Sequence, residues 1–283
     1  MVTAAQNYGW CRQVVLCFGD SLEDGATGGG AFPDLLLPEN QPWSFGCDTP
    51  GLASQIVIPT TPLAPNVIYN TRTHERSRVI YKFANGGWRF ANQPSPASYT
   101  QGSPWLDNIE QAAKIPIWPH QQVVAYIEIG SNDVDYYTGL FAVPASAGSG
   151  YVSKGSPNFF DDCLTPFITA LKARYPGIVI IWQTPIARDS TSAAGSDNAK
   201  FVEISAYGVA NKALYGIDIG LDTRQIPAYD CRNPSVTLNQ AVYQPDKTHL
   251  VAEGYAIKRP YKRAVYDKAL GFTPDPEVAG AIF

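Results

Sequence analysis

The feature that most constrains this chain is a set of short apolar runs, each cut off by turn-forming residues and separated by stretches of helical period. Residues 13–18 (QVVLCF) run almost without polar interruption and stop at Gly19. Residues 79–84 stop at Asn85-Gly86-Gly87, residues 123–129 at Gly130, and residues 178–182 shortly before Pro185; a weaker fifth run lies at 217–219. A strand with one wet face alternates apolar and polar residues, whereas a continuous apolar run needs cover on both faces. That cover is available in the sequence. Phe160, Leu164, Phe167, Ile168, Leu171 and Tyr175 recur at helical spacing up to Pro176-Gly177. The pattern returns over 195–215 and over 252–270, where Pro260 predicts a kink or interruption, and a shorter helix is expected over 103–114 with Ser103 as cap and Pro104 at the first helical position. Strands alternating with helices predict an α/β protein with a parallel sheet covered on both faces.

Two segments stand outside the alternation. Residues 38–77 hold six prolines and most of a local basic run (Arg72, Arg76, Arg78), and residues 136–157 are rich in Gly, Ser and aromatics. Neither has the apolar content of a second core, so residues 1–283 are read as a single domain with loop insertions near 38–77 and 136–157. Insertions of that length in a compact domain are commonly functional loops.

Composition removes several classes. With 45% hydrophobic and 16% charged residues the chain is not of the disordered type. A net charge of −4 and a pI near 5.4 argue against a nucleic-acid partner, which needs a basic stripe. No apolar stretch has the length of a membrane span, and the first residues (MVTAAQNYGWCRQ) show no signal peptide. Five cysteines (Cys11, Cys17, Cys47, Cys163, Cys231) lack a CxxC pair, and His74, His120 and His249 are scattered, so neither a metal site nor a full disulfide framework is expected. The thiols read as free and buried, with one bridge from Cys11 or Cys47 to Cys231 left open. His74 and His120 read as loop residues.

In an open parallel sheet, ligands bind beyond the carboxyl ends of the strands. Those ends carry Gly19-Asp20-Ser21-Leu22, Asn85-Gly86-Gly87-Trp88 and Gly130-Ser131-Asn132-Asp133, while Asp246-Lys247-Thr248-His249 precedes the last long helix. A hydroxyl, glycine amides, a carboxamide, a carboxylate and an imidazole are the parts of a hydrolase that attacks a carbonyl. A serine hydroxyl needs an adjacent base, histidine titrates in the right range, and a carboxylate fixes its tautomer. The amides of Ser21 and Gly87 and the Asn132 side chain supply three candidate oxyanion donors. Each turn alone is ordinary loop chemistry; their order and their positions at strand ends give the combination its force.

With these motifs the sequence resembles the SGNH hydrolases, also called GDSL esterases and lipases. The matching segments are CFGDSLEDG (17–25), IEIGSNDV (127–134) and DKTHL (246–250). The resemblance implies a three-layer α/β/α sandwich with a flavodoxin-like parallel sheet and a serine esterase without metal or organic cofactor. It implies Ser21 as nucleophile, His249 as base, Asp246 as its orienting carboxylate and Asn132 as oxyanion donor. The second block, ANGGWRF, departs from the usual pattern by lacking an asparagine a few residues before the glycine; Gly87 is the expected oxyanion amide, with Gly86 as the alternative.

Asp20 and Asp133 are expected to brace their turns. Glu23, Asp24, Glu128 and Asp135 lie near the motifs with no readable pairing. Trp88, Tyr136 and Tyr137 follow site-forming turns and are candidate substrate contacts, an aromatic wall for a sugar or aryl group. The expected substrate is an acetylated carbohydrate or another small ester. The rival readings are a lipase or thioesterase for longer chains and a carbohydrate-binding virion module without turnover. Few charges and many Pro, Gly and Tyr residues lean toward action outside the cell or on a virion.

Overall fold

The computed structural model of the protein describes residues 12–20, 22, 44–46, 78–84, 108–110, 112–131, 159–188, 198–230, 242–246 and 248–283. Six strands form one sheet: β1 (Gln13–Gly19), β2 (Ser44–Gly46), β3 (Arg78–Ala84), β4 (Gln122–Glu128), β5 (Val179–Gln183) and β6 (Ile219–Leu221). Their order is β2-β3-β1-β4-β5-β6, and every pairing is parallel. β1 is buried along its whole length, as its unbroken apolar run requires.

The pleat sorts the β1 side chains. Val14, Leu16 and Phe18 enter one core with Phe160, Ile168, Leu171, Phe201 and Ile204. Val15 and Cys17 enter the other with Tyr126, Tyr255, Val265 and Tyr266. The first core is covered by α1 (Thr165–Arg174) and α2 (Asn198–Ala210), the second by α3 (Ala252–Ala269), and a short α4 (Pro276–Ala279) follows. Helices on both faces of a parallel sheet give the three-layer architecture, and the order from β3 through β6 is the flavodoxin-like one, with β2 added outside β3.

Several expectations are corrected. Residues 44–46 fall in the proline-rich insertion, yet they pair with Ile80–Lys82 of β3; three residues are too few to show alternation. Residues 159–164 form a π-helical turn leading into α1, a wider winding that the same apolar spacing does not distinguish. The last strand lies at 219–221, two residues beyond its predicted start. α3 is not interrupted at Pro260, which sits inside the helix on the exposed side. There the bond lost to the pyrrolidine ring involves the carbonyl of exposed Ala256, which water can satisfy. Of the expected 103–114 helix, a turn at 108–110 is described; Ser103 and Pro104 lie outside the described residues. Cys17 is buried and outside any disulfide, its Sγ 3.5 Å from the Tyr266 hydroxyl, while Cys11, Cys47 and Cys231 lie outside the described residues.

α3 contributes an unusual core face. Its inward stripe is Tyr255, Lys258, Lys262, Val265 and Tyr266, and both lysines are fully buried. The Lys258 ammonium donates to both carboxylate oxygens of Glu128, at 3.0 and 2.9 Å, at the end of β4. The Lys262 ammonium lies 4.5 Å from the centroid of the Tyr126 ring. Removing one partner of a buried ion pair strands the other charge, so Lys258→Met is expected to lower stability by about 3–5 kcal/mol in chemical denaturation. The double variant Glu128→Gln/Lys258→Met should recover most of that loss.

The β6 edge is closed by Ile282 and Phe283. Ile282 bridges Leu221 in antiparallel fashion, the Gly220 amide donates to the Phe283 carbonyl at 2.8 Å, and the Phe283 amide donates to the Gly220 carbonyl at 3.0 Å. A Cβ on Gly220 would fall 1.9 Å from the Phe283 ring, so this position must stay a glycine for the ring to lie there.

Candidate active site

After β3 the sheet order reverses across β1, and β4 lies on the other side of β1 from β3. The carboxyl ends of β1 and β4 therefore flank the topological switch point, where an open sheet offers its crevice. β1 ends at Gly19 and β4 at Glu128, and the pairing continues one step further, with the Asp20 amide donating to the Glu128 carbonyl at 3.3 Å. Ser21 follows Asp20 directly, and Asn132 follows Ser131.

The turn after β4 depends on Gly130. Its φ of +130° is one that residues with a Cβ rarely adopt, and a Cβ there would meet Pro185 at 3.2 Å and Phe159 at 3.3 Å. Beyond it, the Ser131 hydroxyl donates to Asp20 Oδ2 at 2.6 Å. The other Asp20 oxygen, Oδ1, accepts the Leu22 amide at 3.0 Å. Asp20 thus braces its turn, as expected, and also reaches the neighbouring one. Its carboxyl is raised from 3.8 to about 6, chiefly by burial and further by the Glu128 charge, against the lowering effect of the bonds from Ser131 and Leu22 and of the His249 charge. Because the folded protein binds this proton more tightly, the stability Asp20 contributes is complete below pH 3.8 and is lost as the pH rises through about 6. At neutral pH the buried charge costs on the order of 3 kcal/mol.

The segment that carries His249 is a small hairpin laid over the second core. Tyr243 bridges Leu250, the Gln244 amide donates to the His249 carbonyl at 2.8 Å, and the Val251 amide donates to the Val242 carbonyl at 3.0 Å. The Tyr243 hydroxyl ties this hairpin to the Ala187 carbonyl at 2.7 Å. Gly254, in the first turn of α3, allows the close approach: a Cβ there would stand 2.6 Å from the Val242 carbonyl oxygen. At the hairpin tip, Asp246 Oδ1 accepts the amides of Thr248 (3.0 Å) and His249 (2.9 Å). Asp246 Oδ2 faces His249 Nδ1 at 2.5 Å. Burial pushes the Asp246 carboxyl up, but the two amides and the imidazole outweigh it and hold it below its ordinary value. With Nδ1–H donating to the carboxylate, the lone pair of a neutral His249 is left on Nε2, the form a general base requires.

The structure thus brings Asp246 and His249 together, and the His249 charge acts on Asp20 at the end of β1. Ser21, Gly86, Gly87, Trp88, Asn132, Asp133, Tyr136 and Tyr137 lie outside the described residues, as do Glu23, Asp24, Asp135 and His74. His120 is an exposed turn residue, as expected. Glu128, which had no readable partner, is paired with Lys258.

Arg188 was missed in the sequence. It is buried, its Nη2 donates to the Ser131 carbonyl at 2.6 Å, and it is reached from the carboxyl end of β5. The strand-end rule that singled out β1, β3 and β4 applies equally to residues 184–188 and would have drawn attention to it.

No protein-family model matches the chain, and no curated protein does. Solved structures do. One is 13% identical, covering 93% of this chain and all of the other, with a TM-score of 0.51, and at that identity the likeness is one of fold. Others include a lipase/acylhydrolase from Enterococcus faecalis (13% identity, 93% of this chain and 98% of that one, TM-score 0.46). A further one is a GDSL-like lipase from Bacteroides thetaiotaomicron (14% identity, 91% and 89%, TM-score 0.44).

Proposed function

We propose that the protein is a serine esterase of a single domain that hydrolyses carboxylic esters through an acyl-enzyme. The observation that carries this reading is the Asp246–His249 pair, oriented with Nδ1 on the carboxylate. A binding module has no use for an imidazole held by a carboxylate in the basic tautomer.

In the reaction, Ser21 Oγ attacks the ester carbonyl while its proton passes to His249 Nε2. Asp246 stabilises the imidazolium so formed, and the Asn132 carboxamide with the Ser21 and Gly87 amides receives the oxyanion. Collapse of the tetrahedral intermediate breaks the acyl–oxygen bond, and His249 returns the proton to the departing alcohol. Water then repeats the sequence on the acyl-enzyme and releases the carboxylic acid.

The substrate class follows from what surrounds the motifs. Trp88, Tyr136 and Tyr137 directly follow the turns that carry the oxyanion donors, and they offer flat stacking faces. We assign the protein to removal of O-acetyl groups from a carbohydrate. Assays with p-nitrophenyl esters of increasing chain length and with acetylated polysaccharides test this. Acetyl esters should be cleaved fastest and acetate released; a preference for long acyl chains would make it a lipase or thioesterase, and carbohydrate binding without hydrolysis would make it a binding module.

Asn132→Ala is expected to lower kcat about 10²–10³-fold with KM nearly unchanged, because the carboxamide binds the oxyanion more strongly than the ground-state carbonyl. Melting temperature and kcat measured on one preparation separate this from simple bracing of the turn, for which residual activity would follow the folded fraction.

A further inference from the structure

Asp20 and Ser131 each stand one residue before a proposed catalytic group, and their side chains meet across the gap between two strands. The carboxylate accepts the Leu22 amide through one oxygen and the Ser131 hydroxyl through the other, so it spans residue 21 and holds the turn that leads to residue 132. Arg188 in turn donates to the Ser131 carbonyl, the oxygen of the peptide group whose nitrogen belongs to Asn132. Arg188 is itself fixed to α2: its amide donates to Asn198 Oδ1 at 2.9 Å and its carbonyl accepts Asn198 Nδ2 at 2.8 Å. Its guanidinium lies 5.7 Å from the centroid of the Phe201 ring. Asp20, Ser131 and Arg188 are 1%, 3% and 7% exposed, so water competes little for these bonds.

We propose that Asp20, Ser131 and Arg188 are positioning residues that form one latch and set the separation between the nucleophile turn and the oxyanion turn. The proposal rests on the esterase reading. Its physical basis is the narrow tolerance of such sites: a donor displaced by about 1 Å can cost 10²-fold in rate. The latch takes its two-bond form when Asp20 is ionised, since the carboxylate accepts from Leu22 and Ser131 at once. The charged groups around it are Glu128 of β4, itself engaged by Lys258 of α3, His249 of the hairpin, and Arg188 from the segment after β5. Burial and Glu128 hold the Asp20 carboxyl near 6, where the latch loosens on acidification.

The test compares wild type, Ser131→Ala and Ser131→Thr. Labelling of the wild type by a fluorophosphonate and its ester turnover are measured first. Ser131→Ala should then lower kcat about 10- to 100-fold with KM nearly constant. Its acidic limb of kcat against pH should also move upward by roughly one unit, because the Asp20 charge has lost a stabilising hydrogen bond. Ser131→Thr, which restores the hydroxyl, should return kcat and the limb toward wild type. A role in folding alone would reduce activity in step with the folded fraction and leave the limb in place. Wild-type labelling at Ser21 together with an unmoved limb in Ser131→Ala would overturn the latch while the esterase reading stands. A wild type that is neither labelled nor active would overturn both.

Discussion

Ser21→Ala is expected to abolish ester turnover, with a loss of about 10⁶-fold in kcat and no loss of fold. The hydroxyl is the only group of the proposed site that can form the acyl-enzyme, so nothing replaces it; what survives is the modest help of the oxyanion donors and of binding. The fold should stand because the bonds on either side of position 21 do not use this side chain. Asp20 accepts from the Leu22 amide and from Ser131, and its own amide pairs with Glu128. A fluorophosphonate should label Ser21 and no other serine, as seen by mass spectrometry of the digested protein. Labelling elsewhere, or an alanine variant that keeps most of its activity, would displace Ser21 from the mechanism.

Asp246→Asn is expected to lower kcat roughly 10⁴-fold while the melting temperature barely moves. The two effects separate because the two carboxylate oxygens do different things. Oδ1 accepts the Thr248 and His249 amides and shapes the hairpin tip, and an asparagine carbonyl can do the same. Oδ2 accepts from His249 Nδ1, where asparagine would present an NH₂ group. The imidazole would then turn to the tautomer with its proton on Nε2, which cannot take a proton from Ser21. In the wild type the depressed Asp246 carboxyl stays ionised on the acidic side, so kcat/KM should rise with pH as the base becomes neutral, in addition to the Asp20 limb described for kcat. The sign for stability runs the same way: the Asp246 contribution is present above the ordinary carboxylate value and is lost as the pH falls through its lowered one. A rate independent of pH from about 5 to 8 would remove His249 as base.

The sheet was legible because its central strands are apolar at successive positions. Val14 and Val15 cannot both face a core unless each face has one, and this one pair already implies three layers. The strand ends were legible because chain direction and turn residues mark them, which is how Asp20 and Ser131 came into view; Asp246 and His249 were found by their spacing ahead of the last long helix. Three features were hidden for physical reasons. β2 is held by its neighbour β3 rather than by any pattern of its own. Arg188 looks like one more polar residue after a strand until the Ser131 carbonyl is seen beneath it. Lys258 and Lys262 carry the signature of a wet helix face, yet the Glu128 carboxylate and the Tyr126 ring make that face an interior one. A helical wheel reports hydrophobicity, and it is blind to a counter-charge that arrives from 130 residues away.

The covering of β6 by Ile282 and Phe283 bears on how the protein behaves in concentrated solution. An open strand edge recruits other chains through its unpaired amides and carbonyls, whatever the side chains are. Here the Gly220 amide and carbonyl are both taken by Phe283, and the ring fits only because Gly220 has no side chain. The same ring packs edge-on against Trp182, so loss of these few residues would uncover an indole together with a recruiting backbone. Removing residues 282 and 283 is therefore expected to promote self-association through the β6 edge, although neither has a part in the proposed chemistry.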